Sequence, residues 1–120
     1  MTKSNFEFKK NNSLSKRKNN CDTILIKYPD RIPVIVEKDK SSRNLNDIDK
    51  NKFLVPYELT LGQLLHIIRQ RCNLDPSQSL YLFCGNTLPP TSQTIGNIYQ
   101  DQKDEDGFLY ITYCAENTFG

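Results

Sequence analysis

Between Thr60 and Asn73 the chain writes out one face of one helix, and that face constrains everything around it. Thr60 and Gln63 stand three residues apart. That is the capping-box spacing, in which a threonine hydroxyl accepts the third helical amide and a glutamine side chain returns the bond. Leu61, Leu64, Leu65, Ile68 and Cys72 then recur at i, i+3, i+4, i+7 and i+11, an apolar stripe along one side. A lone amphipathic helix must bury its stripe against another layer, and the flanking runs are strand-like. Ile24–Ile26 and Ile32–Lys38 are apolar and β-branched, separated by the turn signal Tyr28-Pro29-Asp30; Lys52–Tyr57, Ser79–Cys84 and Phe108–Cys114 follow. The order is strand, strand, helix, strand, short turn, strand. It predicts an α+β roll of the β-grasp kind, a four-stranded mixed sheet with a helix across one face.

The remaining stretches connect these elements. A short helix is expected over about Leu14 to Asn20, and residues 39–51 read as a polar loop. Gly85-Asn86 marks a turn, and Thr91–Tyr99 a loop with a single helical turn. Pro56 has no amide to donate, which puts the Lys52–Tyr57 strand at a sheet edge. Residues 1–13 read as a basic, polar, flexible head whose Phe6 and Phe8 bury little; residues 14–116 form the domain, and 117–120 a flexible tail.

At 120 residues and 13.9 kDa the chain suits one domain with one core. No apolar run approaches the roughly 20 residues that span a bilayer. The polar N-terminus has no apolar segment of the secretory kind, so the expected compartment is cytoplasmic and Cys21, Cys72, Cys84 and Cys114 are expected to be reduced. Scattered cysteines and a single histidine do not make a zinc site. Net charge is +2, but residues 1–20 carry six basic side chains against Glu7, a head suited to anionic lipid, nucleic acid or an acidic peptide.

Catalytic chemistry finds no support. His66 falls off the apolar face of its helix, towards solvent. Asp104-Glu105-Asp106 reads as a solvated charged turn, and neither a phosphate-cradling glycine loop nor a nucleophile elbow occurs. The chain is therefore not expected to be an enzyme or to need a cofactor or metal. A binding surface is better supported. Ile67 lies past the edge of the core stripe, so it either widens the core or lines an exposed groove. Beside it, the edge strand alternates Phe53 and Val55 on one face with Leu54 on the other, an arrangement that can accept an extended peptide. The chain also stops on Gly120, after Asn117, Thr118 and Phe119. Many chains end in glycine, but one with no Cβ can pass its carboxylate into a narrow active site.

Specific stretches extend this reading. KYPDRIPVIVEK (27–38), KFLVP (52–56), LTLGQ (59–63), IRQR (68–71), LPPTSQ (88–93), IYQ (98–100), FLYITY (108–113) and the final Phe119-Gly120 occur in order. Together they resemble the autophagy ubiquitin-like modifiers, the family of the GABA-receptor-associated protein (the autophagy-related protein eight family), over about residues 14–120.

The resemblance implies a ubiquitin-like fold with N-terminal helices added. It also implies a C-terminal glycine that is adenylated by an activating enzyme, passed as a thioester to a conjugating-enzyme cysteine, and joined to phosphatidylethanolamine. Gly120 would be that residue, and Phe119 the aromatic before it. Implied with them are a deconjugating cysteine protease, attachment to the autophagosome membrane, and cargo receptors carrying an aromatic-x-x-aliphatic motif. The aromatic pocket would be Ile24, Pro33, Ile35, Lys52, Leu54 and Phe108. The aliphatic pocket would be Phe53, Val55, Pro56, Leu59, Leu64 and Ile67, with Arg31 and Lys50 meeting ligand charge. Three positions depart from the family's habit. Asn20 stands where many members are acidic, Leu64 where an aromatic is usual, and Gly107, smaller than expected, would loosen the approach to the last strand. No nucleic-acid partner is expected. The rival readings are a β-grasp module that binds through the groove and never uses its tail, and an RNA- or cytoskeleton-binding protein acting through its basic head.

Overall fold

The computed structural model describes residues 6–115, so the tail with Phe119 and Gly120 lies outside the described residues. Eight elements follow in order: α1 (Glu7–Asn11), α2 (Leu14–Lys27), β1 (Arg31–Lys38), β2 (Lys52–Pro56), α3 (Leu61–Cys72), β3 (Leu80–Phe83), α4 (Ile95–Gln102) and β4 (Leu109–Ala115). The strands make one mixed sheet in the order β2-β1-β4-β3. β1 and β4 run parallel at its centre, and β2 and β3 pair antiparallel on the outside. This is the β-grasp arrangement, with β2 on an edge as Pro56 required.

α3 begins as its capping box dictates. Gln63 N donates to Thr60 Oγ1 at 3.1 Å, and Thr60 N donates to Gln63 Oε1 at 2.9 Å. It ends on Asn73, whose φ of 55° is the left-handed turn that stops a helix. Leu61, Leu64, Ile68 and Cys72 are buried against the inner sheet face, where Ile32, Val34 and Val36 of β1 and Leu109, Ile111 and Tyr113 of β4 complete the main core. His66 is exposed.

A second, smaller core lies on the opposite face. It joins Cys21 of α2 to Ile35, Phe108 and Tyr110. Because both faces are covered, β1 is buried continuously from Ile32 to Val36 rather than at alternate residues. Cys21, Cys72, Cys84 and Cys114 are all buried. Burial pushes the Cys84 thiol up to about 11, and burial with the neighbouring Asp106 charge does the same for Cys21.

The helices extend further than the sequence pattern suggested. Ile24–Ile26 is no strand: α2 continues to Lys27 because Cys21, Ile24 and Leu25, at i, i+3 and i+4, all face the second core, leaving Ile26 83% exposed. That packing outweighs the modest helix penalty of isoleucine. α4 makes two turns rather than one, since Thr94 caps it and Ile95 and Ile98 reach the main core. The 39–51 loop is pinned as well as polar. Leu45 is buried in it, and Tyr113 donates its hydroxyl to Asn46 O at 2.8 Å.

Gly107 does not loosen the approach to β4. Its φ is +96°, and a Cβ there would stand 2.6 Å from Cys21 Sγ, so only glycine fits the turn beneath α2. We expect Gly107→Ala to lower stability by about 1–3 kcal/mol in chemical denaturation. The Gly107→Ala/Cys21→Ala double variant should lose less than the sum of the two single changes, because removing the sulfur relieves the contact but not the backbone strain.

Candidate functional site: an edge strand between two apolar faces

Among the described residues, β2 has a hydrogen-bonded neighbour on one side only, β1. Its pleat turns Phe53 and Val55, both buried, into the main core beneath α3, and Lys52 and Leu54, both half-buried, to the opposite face. An extended chain laid along the free edge would therefore meet a different apolar surface with each successive side chain.

On the Lys52–Leu54 side, register places Pro33 beside Leu54 and Ile35 beside Lys52. Pro33, Ile35 and Phe108 have almost no accessible surface, and Ile24 is half-buried against the same cluster. Register and packing thus set the six residues expected of an aromatic pocket as neighbours on the outer sheet face. Lys52 Nζ reaches across to α2 and donates to Asn20 Oδ1 at 3.2 Å, and it lies 5.9 Å from the centroid of the Phe108 ring.

On the other side, Leu59 and Ile67 are half-buried against the core formed by Phe53, Val55 and Leu64, while Pro56 is exposed at the strand end. Ile67 thus both widens the core and borders the edge strand. Leu64 is wholly buried, as its place on the apolar stripe demands. Lys50 Nζ and the Arg71 guanidinium each lie 5.6 Å from the Phe53 ring centroid, and Arg71 also donates to Asp49. Sequence reasoning did not assign Arg71 to this surface. Its spacing of four from Ile67 was the available signal. Arg31, opposite Pro56, is exposed on a cavity of about 380 Å³ lined by Pro29, Asp30, Ile32, Tyr57 and Glu58.

Two features of the surroundings differ from the sequence reading. Asp104-Glu105-Asp106 is not uniformly a solvated turn, because Asp106 is only 2% exposed. Its carboxylate accepts from Arg17 Nε at 2.8 Å, from Tyr110 OH at 2.5 Å and from Phe108 N at 2.8 Å. Burial, reinforced by that hydrogen bond, holds the Tyr110 phenol far above its ordinary pKa, so it stays protonated and donates. The head, in turn, folds over residues 7–11 into α1 and docks together with Phe6. Phe6 meets the Tyr110 ring at 4.9 Å and Phe8 meets the Phe108 ring at 5.3 Å, both edge-on. Glu37 accepts from the amides of Glu7 and Phe8 at 2.8 and 3.0 Å, and Lys9 pairs with Asp104 at 2.6 Å. Among the described residues no cluster of three or more histidine, cysteine or acidic side chains could hold a metal ion, and no helix is long and apolar enough to cross a membrane.

Residues 16–120 match the family described as autophagy protein Atg8, ubiquitin like. The chain belongs to the Atg8 family. It is 53% identical to autophagy-related protein 8e of Arabidopsis thaliana over 113 residues, covering 94% of this chain and 92% of that protein. With autophagy-related protein 8 of Schizosaccharomyces pombe it shares 51% over 115 residues, 95% and 93% of the two chains. The crystal structure of Trypanosoma brucei ATG8 superimposes with a TM-score of 0.87 at 35% identity, covering 93% of this chain and 96% of that one. The ubiquitin-like fold with helices preceding β1 is therefore that of an Atg8 autophagy protein.

The docking of α1 changes what truncation should do. Removing residues 1–11 takes Phe6 and Phe8 off the second core, and we expect a loss of about 1–3 kcal/mol. Thermal unfolding checks this; an unchanged midpoint would mean that the two rings contribute nothing in solution.

Proposed function

We propose that this chain is a ubiquitin-like modifier of autophagy that is joined through Gly120 to phosphatidylethanolamine and recruits receptor proteins along β2. The observation that carries the receptor half is the free edge of β2 set between two apolar surfaces, with Arg31, Lys50, Lys52 and Arg71 along it. A peptide added there gains backbone hydrogen bonds that fix its register. Side chains in an extended chain alternate faces, so residues three apart point to opposite faces. An aromatic-x-x-aliphatic motif thereby sends its aromatic ring towards Lys52, Leu54 and Phe108, and its aliphatic side chain towards Val55, Leu59 and Ile67. The basic edge favours acidic residues flanking the motif, and affinity should fall modestly with added salt.

The conjugation half rests on family membership that runs to residue 120. The Gly120 carboxylate attacks the α-phosphorus of ATP and releases pyrophosphate. A cysteine thiolate of the activating enzyme displaces AMP, and the acyl group then passes to a conjugating-enzyme cysteine. Attack by the amine of phosphatidylethanolamine expels that thiolate and leaves an amide. A cysteine protease hydrolyses the amide, with water giving back the Gly120 carboxylate and the free lipid amine. The chain supplies the acyl group and no catalytic group of its own, and it is cytoplasmic until the lipid holds it on the autophagosome membrane.

Incubation with both enzymes, ATP and phosphatidylethanolamine vesicles, read by intact mass, tests this. Gly120→Ala should form no lipid adduct while its melting temperature stays unchanged, because a Cβ obstructs the site where the carboxylate is activated. Normal adduct yield from that variant would move the attachment elsewhere.

The groove makes its own prediction. Leu54→Ala should weaken an acidic aromatic-x-x-aliphatic peptide by about 1–3 kcal/mol, roughly 5- to 150-fold, in calorimetric titration. Unfolding curves on the same samples separate lost contact from lost fold, and wild-type affinity in a folded variant would place recognition elsewhere.

A further inference from the structure

Phe8 stands where the aromatic side chain of a ligand would make its contacts. Its ring lies edge-on to Phe108 at 5.3 Å and tilted against Tyr110 at 6.4 Å. The ammonium of Lys52 sits 5.4 Å from the Phe8 centroid, above the same ring pair, while its hydrogen bond to Asn20 spans from β2 to α2. One cation therefore covers both the floor residue Phe108 and the head residue Phe8.

What holds Phe8 there is slight. α1 is five residues long, buries none of them completely and receives no side-chain cap from Phe6. A helix that short does not persist alone in water. Its first amides are satisfied instead by Glu37 of β1, and its other ties include Lys9 to Asp104 and over the Tyr110 ring, Glu7 to Lys40, Arg17 to the Asn12 carbonyl, and Phe6 on Tyr110. The Glu7–Lys40 pair is exposed and screened by solvent, whereas Lys9–Asp104 is half-buried. A segment so held opens locally far more readily than the sheet beneath it.

We propose that α1 is an internal competitor for the aromatic side of the β2 groove, with Phe8 as its occupant and Lys52 folded over it. The inference rests on reading that groove as a peptide site. A ligand's aromatic residue gains the Phe108 contact only when Lys52 lifts away and Phe8 withdraws. The apparent affinity is then the intrinsic one reduced by the fraction of molecules already open. The opposite arrangement, Phe8 as a fixed wall of the pocket, predicts the opposite sign on its removal.

Calorimetric titration of the full chain with a synthetic peptide carrying an acidic flank, an aromatic residue, two spacers and an aliphatic residue decides between them. Phe8→Ala removes the occupant, and Glu37→Gln loosens α1 while leaving the ring packing untouched. Both should bind about 3- to 10-fold more tightly than wild type. In wild type, the Phe8 amide, bonded to Glu37, should exchange its hydrogen faster once the peptide saturates the groove. Equal or weaker binding by both folded variants, or a Phe8 amide still protected in the complex, would overturn the proposal. A peptide that binds none of the three proteins would instead remove the groove reading, and the competitor with it. Melting curves establish that each variant is folded at the titration temperature.

Discussion

Asp106 is a carboxylate buried beneath three donors, and the site is arranged around its need for them. A charge out of water is tolerated only when paired and hydrogen-bonded. Arg17 supplies the charge from α2, Tyr110 a hydroxyl from β4, and Phe108 its own amide. Satisfying one side chain thus fixes three things together: where α2 lies on the sheet, how the chain turns into β4, and which way the Phe108 and Tyr110 rings face. No buried side-chain polar atom among the described residues is left without a partner. Gly107 belongs to the same constraint, since its left-handed turn lets Cys21 sit directly against the backbone beneath α2.

That placement gives the sheet two unlike faces. α3 covers the inner one with a broad stripe and builds the main core. The outer one is covered by α2 and α1, which close a core of four buried residues and leave β2 uncovered at its edge. The groove on either side of β2 comes from this division. Its inner surface is a margin of the stable core, and its outer surface is a seam between the sheet and a lightly held extension. On the proposed reading, recognition by two pockets on opposite faces of one strand would combine a rigid half with a half held by the N-terminal extension.

Much of this was legible in the chain. The capping box at Thr60 and Gln63, the stripe from Leu61 to Cys72 and the edge position of β2 follow from local rules that need only a few neighbouring residues. Residues named for the two expected pockets lie on β2 or in the two clusters that flank it. Readings failed where the partner was remote. Asp106 looked solvated because its acidic neighbours are, and Arg17, which buries it, lies 89 positions away. Phe6 and Phe8 looked idle in a polar head because the rings they meet stand about a hundred residues further on. Ile24–Ile26 looked like a strand from composition, although the spacing of Cys21, Ile24 and Leu25 already had the helical period.

By itself, then, the sequence determined the element types wherever periodicity and capping are local, the inner core they build, and the family to which the chain belongs. Short-range hydrogen bonds and the pitch of a helix are properties of adjacent residues, so they can be read from adjacent residues. Only the tertiary structure decided which acidic side chain is buried, that α1 forms at all, and that the Lys52 ammonium lies over the Phe8 and Phe108 rings. Each of those depends on surfaces that meet only after β1 and β4 have paired in parallel at the centre of the sheet. A five-residue helix with no N-terminal side-chain cap exists because a folded sheet presents Glu37, Tyr110 and Phe108 to it, and no local signal in the chain encodes that encounter.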